Sequence, residues 1–171
     1  MSFPVLFGIS VAFGVAIWGV VAWLYIWPAL RQYPGHDSLR PILLLHGFRF
    51  LGLSFLVPGV VSTELPSLFA RPVAYGDFIT AVLALLALVT LGARAGTVAA
   101  WVFNVFGMGD LLFAFYLGSG ISLPDKPGLL GAGYFILTAY VPLLLITHGL
   151  AFQILLRTRV VARSHSQLTT A

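Results

Sequence analysis

The sequence predicts an all-α, membrane-embedded bundle of five transmembrane helices, and two observations carry that prediction. Of 171 residues, 60% are hydrophobic and only 8% are charged, whereas soluble domains run at about 45–50% and about 25%. The apolar residues also fall into five runs, each long enough for the ~20 residues a helix needs to cross a hydrocarbon core. Such a chain has too few polar groups to cover a surface in water. A soluble domain, a disordered tail and a nucleic-acid-binding module are all excluded. Nine Arg or Lys against five Asp or Glu give a formal charge of +4, so the placement of the charges says more than their sum. The absence of cysteine removes disulfides, thiolate metal sites and cysteine nucleophiles.

The first span covers residues 3–27, with no charged side chain before Arg31. It has no basic leading region and no polar cleavage region, so it is expected to be a retained span. The second covers 41–61 and opens on Pro41, well suited to a first helical turn. The third, fourth and fifth cover 72–92, 97–118 and 129–156. Backbone groups in lipid must be satisfied within the segment, so these runs are helices, and they lack the alternation of a barrel. Pro58 and Pro142 each lack the amide that would bond four residues back. They free the carbonyls of Ser54 and Thr138 and predict kinks. Small residues at close spacing, such as Gly8, Ala12 and Ala16 or Ala81, Ala84 and Ala87, predict packing seams. Residues 1–157 thus make one five-span domain, and 158–171 an irregular polar tail.

The arginines orient the bundle. Arg31, Arg40, Arg94, Arg157, Arg159 and Arg163 share one side, while the other holds only Arg71 and Lys126. That asymmetry predicts an N-terminus outside and a C-terminus in the cytoplasm.

The informative residues are polar ones inside the spans, where an ionisable group needs a partner or a purpose. At ~1.5 Å per residue, His46, Asn104, Arg49 and His148 lie about 8, 10, 12 and 13 Å from the cytoplasmic ends of their spans. They form one layer. Asp77, Asp110, Tyr116 and Tyr134 form a second layer nearer the outside. His46 and Arg49 are three apart and share a helix face. Tyr134 and His148 fall within roughly 40° of each other, whereas Asn104 and Asp110 differ by roughly 120° and face different neighbours. Arg49 stays charged and needs acceptors, which Asp110, a freed carbonyl or an anionic ligand would supply.

His46, Arg49, Asn104, Asp110, Tyr134 and His148 are therefore the candidate residues for a ligand site or a proton path. His46 and His148, two imidazoles on different helices, also match the pattern of bis-His haem ligation. The depths of Asp77, Asp110 and the histidines differ too much for a metal set. No HExxH, GxSxG or glycine-rich phosphate loop is present, so no enzyme class is indicated. Three functions remain open: a protein that binds or moves a small ligand or proton, a non-catalytic subunit or assembly factor that packs against a membrane-protein partner, and a haem-binding redox protein. In each the lipid bilayer is the environment. The residues name no cofactor.

The set His46-Gly47-Phe48-Arg49, Phe103-Asn104-Val105-Phe106-Gly107 with Asp110, and Tyr134-Phe135 followed by Pro142 and His148 resembles a group of small uncharacterised bacterial multi-span integral membrane proteins. The resemblance covers residues 41–157 and implies a bacterial inner membrane and no particular activity. The five-span, Trp-containing plan is also similar to the tryptophan-rich sensory family, which binds porphyrins and sterols. Trp18, Trp23, Trp27 and Trp101 sit on spans one and four, however, and the Trp-Pro-rich first loop of that family is missing, so none of its residues transfers.

Overall fold

The computed structural model describes residues 2–168. The side chains of Arg94 and of residues 158–168, Arg159, Arg163 and His165 among them, lie outside the described residues, as do residues 169–171 entirely. Among the described residues, five helices are long and apolar enough to cross a membrane: α1 (Phe3–Leu30), α2 (Gly35–Leu56), α3 (Ser67–Thr90), α4 (Ala95–Gly120) and α5 (Gly133–Arg157). The helical backbone of α5 runs on to Leu168, into the segment expected to be an irregular tail. No Gly or Pro lies between Leu150 and Leu168 to stop it.

Helix α2 departs most from an ordinary span. It opens as a 3₁₀ turn at Gly35–Leu39, becomes α-helical over Arg40–Gly47, and tightens again to a 3₁₀-helix over Phe48–Leu56. Runs of 3₁₀ longer than about four residues are uncommon, and at about three residues per turn they place side chains i and i+3 directly in line. Arg49, Gly52 and Phe55 are the buried residues of this stretch, one stripe at a spacing of three. In α geometry the same stripe would drift by roughly 60° at each step. The helix then stops at Leu56, because Val57, just before Pro58, is extended (φ −97°, ψ 111°). The kink expected at Pro58 is a helix end.

Two other prolines act through widened turns. The N–H of Trp27 bonds the carbonyl of Ala22, and the N–H of Val141 bonds that of Ile136, both five residues back. The widened turns, Ala22–Ile26 and Ile136–Tyr140, each end two residues before a proline, Pro28 and Pro142. Widening moves the carbonyl four residues back away from the proline ring that would otherwise strike it.

Helix α3 packs between α2 and α4; α2 and α4 also meet α5, and α1 leans on α5 from outside. Only Ala22 and Leu30 of α1 are buried. The strap is polar: the indole N–H of Trp18 donates to the carbonyl of Ala139 at 2.8 Å, and the Tyr134 hydroxyl donates to Ser10 Oγ at 2.7 Å. At one end of the bundle Leu39, Leu43, Leu91, Phe103 and Leu155 form an apolar cluster. At the other end, Phe55, Phe69, Val73, Leu123 and Leu130 form a second. There the loop after α2 pairs with the segment before α5, through Ser62 N–H to Leu129 O and Ala132 N–H to Val60 O. Gly131 allows this contact: its φ is +50° and the Val60 carbonyl fills the space a Cβ would need. Between the two apolar clusters lies a polar layer.

Candidate functional site

Four helices deliver the polar layer. From α2, Arg49 enters with no exposed surface. Its Nε donates to Asp77 Oδ1 of α3 at 2.7 Å, and its Nη2 lies 2.6 Å from the same oxygen. From α4, Asp110 Oδ2 accepts from Nη2 at 2.6 Å and the Gly107 carbonyl accepts from Nη1 at 3.1 Å. From α5, His148 Nε2 faces Nη1 at 3.2 Å. All three guanidinium nitrogens are engaged, as burial of a permanent cation demands.

The hydrogen bonds assign the imidazoles. Arginine only donates, so His148 Nε2 accepts, and its Nδ1 carries the proton and donates to Asn104 Oδ1 at 2.7 Å. The Asn104 amide donates back to the His148 carbonyl at 3.3 Å. Thr147 Oγ1 donates to the Leu143 carbonyl, so His46 Nε2 donates to Thr147 Oγ1 at 3.0 Å. Its Nδ1 is buried without a hydrogen-bond partner among the described residues. His148 is therefore neutral, and His46 is neutral because a second proton on its buried Nδ1 would have no acceptor.

Close approach rests on three glycines. At Gly52, Gly76 and Gly107 the space a Cβ would fill is taken by the carboxylates of Asp77 and Asp110 and the imidazole of His148, respectively. Each helix from α2 to α4 thus seats a polar side chain of the next helix on bare backbone. Thr80 completes the Gly107 seat with its methyl group, and its hydroxyl donates to the Gly76 carbonyl at 2.8 Å.

Of the six candidates, His46, Arg49, Asn104, Asp110 and His148 lie in this layer. Tyr134 does not: it bonds Ser10 and packs edge-on against Phe7, 5.9 Å between ring centroids. Asn104 and Asp110 do face different neighbours, His148 and Arg49. Asp77, placed by sequence in a separate outer layer, pairs with Arg49 as closely as Asp110 does, each at 2.6 Å. The two acids join the layer of Arg49 because α2 starts earlier than Pro41 and contains two 3₁₀ stretches at about 2.0 Å per residue, which carry Arg49 deeper than α geometry predicts, whereas Tyr116 is exposed. The missed signal was the glycine three residues after Arg49 and the one just before Asp77.

The histidines do not fit a haem. Their rings are in direct contact, 4.2 Å between centroids, with Phe103 against both. A bis-His iron needs the rings on opposite faces of a macrocycle, and both nitrogens of His148 are already hydrogen-bonded.

Beside the layer is a cavity of about 180 Å³. Its walls are apolar, with Phe7, Phe55, Phe69 and Phe115 around it, and among the described residues Asp77 and Asp110 supply its only ionisable groups. Each carboxylate keeps about 10% of its side-chain surface exposed. Arg49 does not line the cavity, so the acids stand between it and the space.

The chain belongs to the family described as a domain of unknown function, DUF8737, whose model matches residues 6–156. No curated protein and no solved structure matches it.

The seats predict a contrast between glycines. Gly76→Ala drives a methyl group into the Asp110 carboxylate and should lower stability by at least about 2 kcal/mol, from overpacking and a loosened ion pair. Gly8→Ala, which meets nothing within 4 Å, should change it by under about 0.5 kcal/mol. Thermal unfolding of the detergent-solubilised protein measures both, and equal effects would contradict the seating.

Proposed function

We propose that the protein is a five-span protein of the bacterial inner membrane, N-terminus outside and C-terminus cytoplasmic, that binds a small ligand between its helices. The ligand's apolar body occupies the cavity, and its polar end meets Asp77 and Asp110. One observation carries the reading: an apolar cavity whose only ionisable lining groups are two carboxylates. Pockets of that kind, mostly apolar with a few convergent polar groups, are where small molecules bind. A cavity of roughly 150 Å³ accepts a benzene-sized body.

Arg49 is the organiser of this site rather than its contact. With its nitrogens spent on Asp77, Asp110, Gly107 and His148, it offers nothing to an incoming anion. It fixes the two acids at the cavity wall. His148 and Asn104 hold it from behind, and His46 packs against His148. The cavity is bounded by Gly118, Ser119, Leu123 and Pro124 at the end of the bundle expected to face outward. The opposite end is filled by the cluster around Leu43 and Phe103. The site is thus a one-sided pocket.

Orientation is tested by labelling. The chain has no cysteine, so Asp125→Cys should react with a membrane-impermeant maleimide in intact spheroplasts and Gln32→Cys only after permeabilisation. The reverse pattern would overturn the topology. Binding is tested with radiolabelled benzyl alcohol and benzylamine on the full-length protein. Ala114→Phe, which fills the cavity, should lower retention of both at least about tenfold. Equal retention by the two proteins would remove the ligand site.

A further inference from the structure

We infer that the cavity takes a cationic ligand, a protonated amine on a small apolar body, and that this cation exchanges with one proton held by the Asp77–Asp110 pair. The inference rests on the ligand site proposed above. Its first ground is a count of charges. One guanidinium faces two carboxylates, with His148 neutral because its Nε2 accepts from Arg49 and His46 neutral because its buried Nδ1 has no acceptor among the described residues for a second proton. With both acids ionised, the layer carries one uncompensated negative charge between two apolar clusters. Charge in such surroundings is costly unless paired. Either a proton or a cation must complete the layer.

The second ground is placement. The groups an incoming molecule meets are the carboxylates, because the guanidinium lies behind them and does not line the cavity. A cation is drawn to that wall and an anion is repelled. Four phenylalanines around the cavity favour the same ligand, since the face of an aromatic ring attracts an ammonium group.

The third ground tells the two acids apart. Asp77 Oδ1 faces two guanidinium nitrogens, at 2.7 and 2.6 Å, whereas Asp110 Oδ2 faces one, at 2.6 Å. Charge-assisted bonds favour the ionised acid, so the proton resides on Asp110. When an ammonium ligand arrives, the O–H bond of Asp110 breaks and its proton leaves to water. The carboxylate left behind pairs with the ligand's N–H groups, and the layer is neutral before and after.

The experiment compares benzylamine, benzyl alcohol and benzoate, three probes with one apolar body and different heads, on the wild-type chain in detergent. Retention by Ala114→Phe is subtracted as background. Benzylammonium should bind at least about tenfold tighter than benzyl alcohol, the margin of a charge-assisted over a neutral hydrogen bond. Benzoate should bind weakest. In a weakly buffered solution with an indicator dye, about one proton should appear per benzylammonium bound and none for the alcohol. Asp110→Asn should abolish the proton release and the preference for the amine while retaining the alcohol. Because the probe comparison does not involve Asp110→Asn, it stands even if that variant fails to fold. Equal or tighter binding of the alcohol, or amine binding without proton release, would overturn the cation exchange yet leave the ligand site intact. Failure of every probe to exceed the Ala114→Phe background would overturn the site itself, and the exchange with it.

Discussion

One guanidinium inside an apolar bundle sets the terms for everything around it. Arg49 cannot be neutralised in a protein, so the fold must bring it acceptors or leave it in water. It is fully buried, and the acceptors come from three other helices: Asp77 from α3, Asp110 and a carbonyl from α4, and His148 from α5. Helices in lipid gain little from burying apolar faces against one another and depend on close packing and polar contacts instead. A cation that reaches every core helix is therefore the tie that defines their arrangement. Helix α1, which contributes nothing to it, lies at the edge.

The geometry of that tie explains two oddities of the backbone. A guanidinium bonded at 2.6–2.7 Å to acids on two neighbouring helices requires those helices close by, and glycine at 52, 76 and 107 provides the approach. The 3₁₀ stretch of α2 brings Arg49, the Gly52 seat for Asp77, and Phe55 onto a single line. An α-helix would turn the seat away from the acid it must receive. The tightened turn of α2 and the polarity of the core thus have one cause.

Much of the fold was legible beforehand. Apolar run length located five helices long and apolar enough to cross a membrane, and a buried Arg with two His on different helices marked the layer, because both features follow from what lipid forbids. Boundaries were less legible. Pro58 reads as a kink within a span that continues to residue 61, whereas the extended Val57 ends the helix at Leu56. The site was legible in its members but not in its pairings. Asp77 looked too shallow to meet Arg49, since depth was counted at the α rise and a tightened helix rises faster. Tyr134 shares a face with His148 on a uniform helix, yet the widened turn over Ile136–Tyr140 lies between them and shifts that register.

The central claim is that Arg49 stabilises the bundle by holding Asp77 and Asp110, and equilibrium unfolding in mixed micelles tests it directly. Arg49→Met strands two acids in the core and should cost about 3–5 kcal/mol. Adding Asp77→Asn and Asp110→Asn to that variant removes the stranded charge and should recover most of the loss. A triple variant no more stable than Arg49→Met alone would contradict the account, because the acids would then owe nothing to the guanidinium.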